Sequence, residues 1–140
     1  MKVVLDANVL VSAVFGGIPR LALNRALREE LWVSADTEEE LLGLTDRLSR
    51  IMKPAQLLEW KANLGSFLSS VHRGSVKEPV RLSRDRDDDP YLSLAKAIGA
   101  DFLVTGDKDL LSIEHEQLDR ISLGRLKIVT PRQFLKQTSG

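Results

Sequence analysis

Lys2-Val3-Val4-Leu5-Asp6-Ala7-Asn8-Val9-Leu10 is the most telling stretch of the chain for its architecture. Lys2 to Leu5 is a short apolar run rich in β-branched residues, and beyond Asp6 the apolar positions Val9, Leu10, Ala13 and Val14 recur at helical spacing. A strand therefore runs into a helix across one carboxylate. Further on, Pro19 suits a first helical turn, and Leu21, Ala22, Leu23, Ala26 and Leu27 extend a helical stripe. Leu31-Trp32-Val33 is strand-like again, which completes a strand-helix-strand unit.

The same alternation continues outward. Asp36-Thr37-Glu38-Glu39 has the spacing of a capping box and predicts a helix from near Thr37, with Leu41, Leu44, Leu48 and Ile51 at helical intervals. Pro54 opens a second helix whose apolar face is Leu57, Trp60, Leu64, Phe67 or Leu68, and Val71, ending at Gly74. The two are expected to form a helical hairpin. Asp89-Pro90 predicts another helix start, with Asp89 as N-cap and Gly99 as the C-terminal cap. Phe102 to Thr105 and Leu126 to Val129 read as strands, and Thr130-Pro131 starts a terminal helix. Parallel neighbours need crossover connections, so strands alternating with helices imply a mainly parallel sheet covered on both faces. The expected class is three-layer α/β/α, with residues 1–140 as a single domain.

Composition narrows the chemistry. The 140 residues carry 20 Lys+Arg and 20 Asp+Glu, and 43% are hydrophobic, enough for a core without covalent staples. The absence of cysteine excludes disulfides, thiolate nucleophiles and cysteine-bound zinc or iron–sulfur centres, and makes the reducing cytoplasm the expected compartment. Asp6 falls too early for a signal-peptide core, and no apolar run approaches the ~20 residues that span a bilayer, so no membrane association is expected. Zero net charge argues against coating nucleic acid by bulk attraction. No Gly-rich phosphate loop of either common pattern is present, so a nucleotide-driven motor or a dinucleotide oxidoreductase is unsupported.

In open parallel sheets ligands bind beyond the carboxyl ends of the strands. Asp6, Glu40, Asp89 and Asp107 are all expected on that rim, from well separated parts of the chain. Three have an ordinary structural explanation. Asp89 before Pro90 suits an N-cap, Glu40 in a first helical turn complements the macrodipole, and Asp107 and Asp109 sit in a Gly-Asp turn. Asp6 resists one, because a carboxylate ending a buried-type strand needs a partner that no adjacent Lys or Arg supplies. Two unit charges about 4 Å apart repel by roughly 4 kcal/mol at an effective dielectric near 20, so a convergent quartet requires a cation. All-oxygen donors select Mg²⁺ or Mn²⁺, and the only histidines, His72 and His115, lie off the rim. Carboxylate-held Mg²⁺ points to phosphodiester hydrolysis. Setting these four acids aside leaves 16 against 20 basic residues, with bases grouped at Arg25 and Arg28, at Arg47, Arg50 and Lys53, and at Arg81, Arg84 and Arg86. Any one group is as well explained as a solvated face; together they permit phosphate contacts.

These pieces resemble the PIN domain. They are Val3-Val4-Leu5-Asp6-Ala7-Asn8-Val9-Leu10, the Glu40-Leu41-x-x-Leu44 helix, Asp87-Asp88-Asp89-Pro90-Tyr91-Leu92 with Ala95, and Phe102-Leu103-Val104-Thr105-Gly106-Asp107-Lys108-Asp109-Leu110. Four such pieces in order are highly specific, and Ile128-Val129-Thr130-Pro131-Arg132-Gln133-Phe134-Leu135 is similar to the close of the bacterial VapC-like toxin subgroup. The resemblance implies a Mg²⁺-dependent endoribonuclease acting on single-stranded RNA, commonly the toxin of a toxin–antitoxin pair, neutralised by a cognate antitoxin protein and often a homodimer. It assigns the acidic quartet, as catalytic and metal-holding residues, to Asp6, Glu40, Asp89 and Asp107. Asn8 and Thr105 match residues that orient the quartet, and Asp109 assists Asp107. The run Asp87-Asp88-Asp89 leaves open whether Asp88 or Asp89 is the ligand, and Ala7 departs from the Thr or Ser often found there. Two other readings stay open: a non-catalytic module that binds RNA or protein, and an aspartyl-phosphate phosphatase. Against the latter, Asn8 stands where a second Asp would be needed.

Overall fold

A computed structural model describes residues 1–82 and 89–139. Its centre is a five-stranded, all-parallel sheet in the order β3-β2-β1-β4-β5, built from β1 (Lys2–Leu5), β2 (Glu30–Val33), β3 (His72–Arg73), β4 (Phe102–Val104) and β5 (Lys127–Val129). The helices are α1 (Ala7–Ala13), α2 (Gly17–Ala26), α3 (Ala35–Leu48), α4 (Pro54–Ser70), α5 (Asp89–Ile98), α6 (Lys108–Leu111), α7 (His115–Arg120) and α8 (Pro131–Thr138). The chain runs outward from β1 through β2 to β3, then returns to the other side of β1 for β4 and β5. The order reverses between β1 and β4, which opens a crevice at their carboxyl ends.

Alternating side chains give the sheet two apolar faces. Val3, Leu5, Leu31, Val33, Phe102 and Val104 belong to one core, shared with α1 to α4 and α8. Val4 and Leu103 belong to the other, shared with Tyr91, Leu92, Leu94 and Ala95 of α5, Leu110 of α6 and Leu118 of α7. This is the three-layer α/β/α architecture. Trp60, Phe67 and Phe134 anchor the first core with essentially no exposure, and Phe134 meets Phe102 edge-on at 5.4 Å. Truncating side chains buried this way to Ala typically costs about 3–5 kcal/mol. Among the described residues, no helix is long and apolar enough to cross a membrane.

Three sequence expectations shift. The helix expected from near Thr37 begins at Ala35: Ser34 is the N-cap, exchanging hydrogen bonds with Thr37, so the box is Ser34/Thr37 and not Asp36/Glu39. Glu40 therefore lies in the second turn of α3, beyond the reach of a macrodipole explanation. The helix from Pro54 stops at Ser70, because Val71 turns extended and His72-Arg73 pair with Trp32-Val33 as a short edge strand before Gly74. Two residues carry too little periodicity to announce a strand. Asp89 is the first residue of α5 rather than its N-cap. Gly99, with φ of 65°, does close α5: the Ala100 N–H donates back to the Ala95 carbonyl at 2.9 Å.

Candidate functional site

The register of β1 against β4 determines which groups meet at the crevice. Leu5 pairs with Val104, and the Asp6 N–H extends the ladder by donating to the Val104 carbonyl at 3.0 Å. Asp6 is thereby set beside Thr105. The Thr105 hydroxyl donates to Asp6 Oδ2 at 2.7 Å, while Asp6 Oδ1 accepts the Asn8 N–H at 3.2 Å and so caps α1. Asp6 is only 3% exposed and Thr105 fully buried. Burial pushes the Asp6 carboxyl above its ordinary value and the neighbouring charge of Asp107 pushes the same way, while the hydrogen bonds from Thr105 and Asn8 pull against them.

Asp107 follows β4 as Asp6 follows β1. It caps α6, its Oδ1 accepting the N–H groups of Asp109 at 2.7 Å and Leu110 at 3.4 Å, and its own N–H donates to Thr105 Oγ1 at 2.9 Å. Asn8 and Asp109, expected as supporting side chains, act here through their backbone N–H groups, and the Asn8 side chain is exposed.

Glu40 reaches the site from α3. Its Oε2 accepts the Tyr91 hydroxyl at 2.9 Å, and the same phenol oxygen accepts the Ala7 N–H at 3.2 Å, one peptide beyond Asp6. Burial, and then the negative charges of Asp6 and Glu40, raise the Tyr91 pKa above that of an ordinary phenol, so the group stays a protonated donor. Motif spacing alone gives Tyr91 no role. A signal was present: it is the chain's single tyrosine, inside the apolar run Tyr91 to Ala95, and a buried hydroxyl there must find partners.

Asp89 is 7% exposed, and its Oδ1 accepts the Leu82 N–H at 3.2 Å. One turn on, Ser93 Oγ accepts the Val80 N–H at 2.8 Å, so the two side chains hold residues 80–82 along α5. A groove of about 270 Å³ lies against Asp89, with Ser34, Asp36 and Arg81 on its walls. Arg84, Arg86 and Asp88 fall outside the described residues. Arg25, one of the bases expected to be available to phosphate, is instead held by Glu29 at 2.9 Å and the Thr138 carbonyl at 3.4 Å.

The structure thus brings Asp6 and Asp107 together, links Glu40 to the start of α1 through Tyr91, and sets Asp89 on the neighbouring segment. Among the described residues no three acidic or imidazole side chains come close enough to form a ready-made metal cage. The donors still fit a hard divalent cation. They are all oxygens, and the buried Asp6 beside Asp107 has, among the described residues, no ion-pair partner. His72 and His115 are both exposed, His72 lying against Trp32 at 5.0 Å.

A protein-family model for the PIN domain matches residues 2–109, the span from β1 into α6 that contains each of these acids. No curated protein shows a significant match to the chain.

Proposed function

The chain belongs to the PIN domain family, and from that premise we propose that it is a metal-dependent endoribonuclease that hydrolyses phosphodiester bonds of single-stranded RNA. PIN domains are generally nucleases, commonly metal-dependent ribonucleases. The observation that carries the finer reading is the pair Asp6 and Asp107, set side by side at the topological switch point and coupled through Thr105.

In this reading Asp6, Glu40, Asp89 and Asp107 hold Mg²⁺ or Mn²⁺. Such an ion would neutralise the carboxylates, polarise a phosphoryl oxygen and lower the pKa of water, supplying hydroxide as the nucleophile for phosphorus. The chain's own groups hold and aim. Thr105 and the Asn8 N–H fix Asp6 in one rotamer, the Asp109 and Leu110 N–H groups fix Asp107, and burial by α5 and the sheet excludes bulk water from Asp6. No side-chain nucleophile and no histidine base take part. Arg81, beside Asp89, is placed to meet an RNA phosphate.

We further assign residues 1–140 to one domain of the VapC-like toxin type, acting in the cytoplasm, forming a homodimer and blocked by a cognate antitoxin protein laid across the acidic rim. The test is cleavage of a mixed RNA pool with and without Mg²⁺ by wild type and Asp6→Asn, with sequencing of the ends. Metal-dependent internal cuts by wild type alone are expected. Equal cutting by both proteins, or binding of the pool without cutting, would overturn the nuclease reading, the second outcome in favour of a non-catalytic module. Hydrolysis of a chromogenic phosphomonoester would instead favour a phosphatase.

A further inference from the structure

We propose that Tyr91 is a positioning residue that holds the Glu40 carboxylate in register with Asp6, so that the metal site is aligned before metal arrives. The inference rests on the proposed metal site and adds a residue to it.

The case begins with the protons. A phenol has one hydrogen to give and lone pairs to accept with. At Tyr91 the oxygen accepts from Ala7, whose N–H is one of the donors that a helix N-terminus leaves without an intrahelical partner. With that direction taken, the hydroxyl proton is aimed at Glu40 Oε2, at 2.9 Å. One atom therefore ties the peptide next to Asp6 on α1 to the carboxylate of Glu40 on α3, from a mount on α5.

The mount is rigid. Tyr91 is 2% exposed, flanked by the buried Leu92, Leu94 and Ala95, and α5 is closed at its far end by Gly99. A glutamate carboxylate stands on three side-chain torsions, and each hydrogen bond it accepts narrows the positions from which a ligand must select. A carboxylate oxygen can accept a hydrogen bond and still offer a lone pair elsewhere, so the phenol orients Glu40 without consuming it as a ligand. Groups of this kind typically contribute about 10–100-fold to metal affinity.

Because Tyr91 is the sole tyrosine, both chemistry and spectroscopy can address it alone. Mn²⁺ binding is followed by electron paramagnetic resonance for wild type, Tyr91→Phe, Glu40→Gln and the double variant. Tyr91→Phe is expected to need about tenfold more Mn²⁺ for half-saturation, to lose much less cleavage at saturating Mn²⁺, and to have no further effect on affinity in the Glu40→Gln background. In a second arm, 3-fluorotyrosine reports by ¹⁹F resonance. Added Mg²⁺ is expected to move the signal in wild type and to leave it in place in Glu40→Gln. Wild-type affinity in Tyr91→Phe, or the same loss with and without Glu40, would overturn the proposal. So would a fluorine signal unmoved by Mg²⁺ that stabilises the protein, an arm that needs no phenylalanine variant to fold. If wild type itself binds no Mn²⁺, the metal-site reading falls first and the proposal falls with it.

Discussion

Asp6 and Asp107 are coupled through a single hydroxyl group: Thr105 Oγ1 donates to the Asp6 carboxylate at 2.7 Å and accepts the Asp107 N–H at 2.9 Å. The two residues are held side by side because one neutral oxygen satisfies the carboxylate of Asp6 and the backbone N–H of Asp107. Thr105→Val keeps the shape and removes the hydroxyl, leaving a buried carboxylate oxygen short of a partner, and a part-buried N–H with it, at a cost of about 1–3 kcal/mol. The melting temperature should fall by several degrees. Thr105→Ser keeps the hydroxyl and should stay much closer to wild type; equal losses in thermal melts of the two variants would assign the effect to the methyl group instead.

Much of this was legible in the sequence because the decisive signals are local. Lys2 to Leu5 followed by Asp6 announces a strand ending at a carboxylate, and Gly99 announces a helix end that its positive φ confirms. Two-residue β3 was not legible, since its pairing with Trp32 and Val33 depends on a partner about 40 residues away. The helix start at Ser34 was misplaced by competition: Asp36-Thr37-Glu38-Glu39 has the better capping spacing, but β2 ends at Val33 and Ser34 is the first side chain able to cap the helix after it. Of the site, the sequence supplied the acids and named Thr105, Asn8 and Asp109 beside them, but not the Tyr91 partner of Glu40. The link from Ala7 through Tyr91 to Glu40 arises from the packing of three helices, which no spacing rule encodes.

The two histidines provide a negative test of the chemistry. His72 is exposed on the edge strand against Trp32, and His115 is exposed at the start of α7. Neither can relay a proton at the Asp6–Asp107 pair from there. His72→Gln with His115→Gln should leave Mg²⁺-dependent RNA cleavage within about twofold of wild type, whereas removal of a true general base typically costs about 10²–10⁴-fold. A loss above tenfold in a correctly folded double variant would place a histidine in the mechanism.

Stability of the metal-free protein should depend on pH through Asp6. Its folded pKa is raised above that of an ordinary aspartate, so the folded chain keeps the proton to higher pH than the unfolded chain does. The resulting stabilisation is complete below the unfolded value and is lost as pH rises through the folded pKa. Glu29 and Glu38 act in the opposite sense: hydrogen bonds from Arg25 and Arg73 hold their carboxyls below the usual glutamate range, and their contribution is lost as pH falls. Both are surface pairs screened by solvent and contribute little. Denaturation in EDTA should therefore show Asp6→Asn level with wild type in strong acid and ahead of it at neutral pH. A constant offset between the two curves would mean that the charge of Asp6 is not the cause.

The same repulsion sets stability against activity. In EDTA, Asp6→Asn and Asp107→Asn each remove one of two adjacent charges, and both replacements preserve the local structure: Asn is as good an N-cap as Asp, and the Thr105 hydroxyl can rotate to accept from an amide. Each should raise the melting temperature. The double variant should gain less than the two gains together, because the first substitution already removes the repulsion that the second would relieve. Each should also shrink the stabilisation gained from added Mg²⁺, which measures binding to the folded state, and abolish cleavage. Melts with and without Mg²⁺ on the three variants decide the matter. If both single substitutions lowered the EDTA melting temperature and left the Mg²⁺ increment at its wild-type size, Asp6 and Asp107 would be helix caps and nothing more, and the candidate site would have to be sought elsewhere.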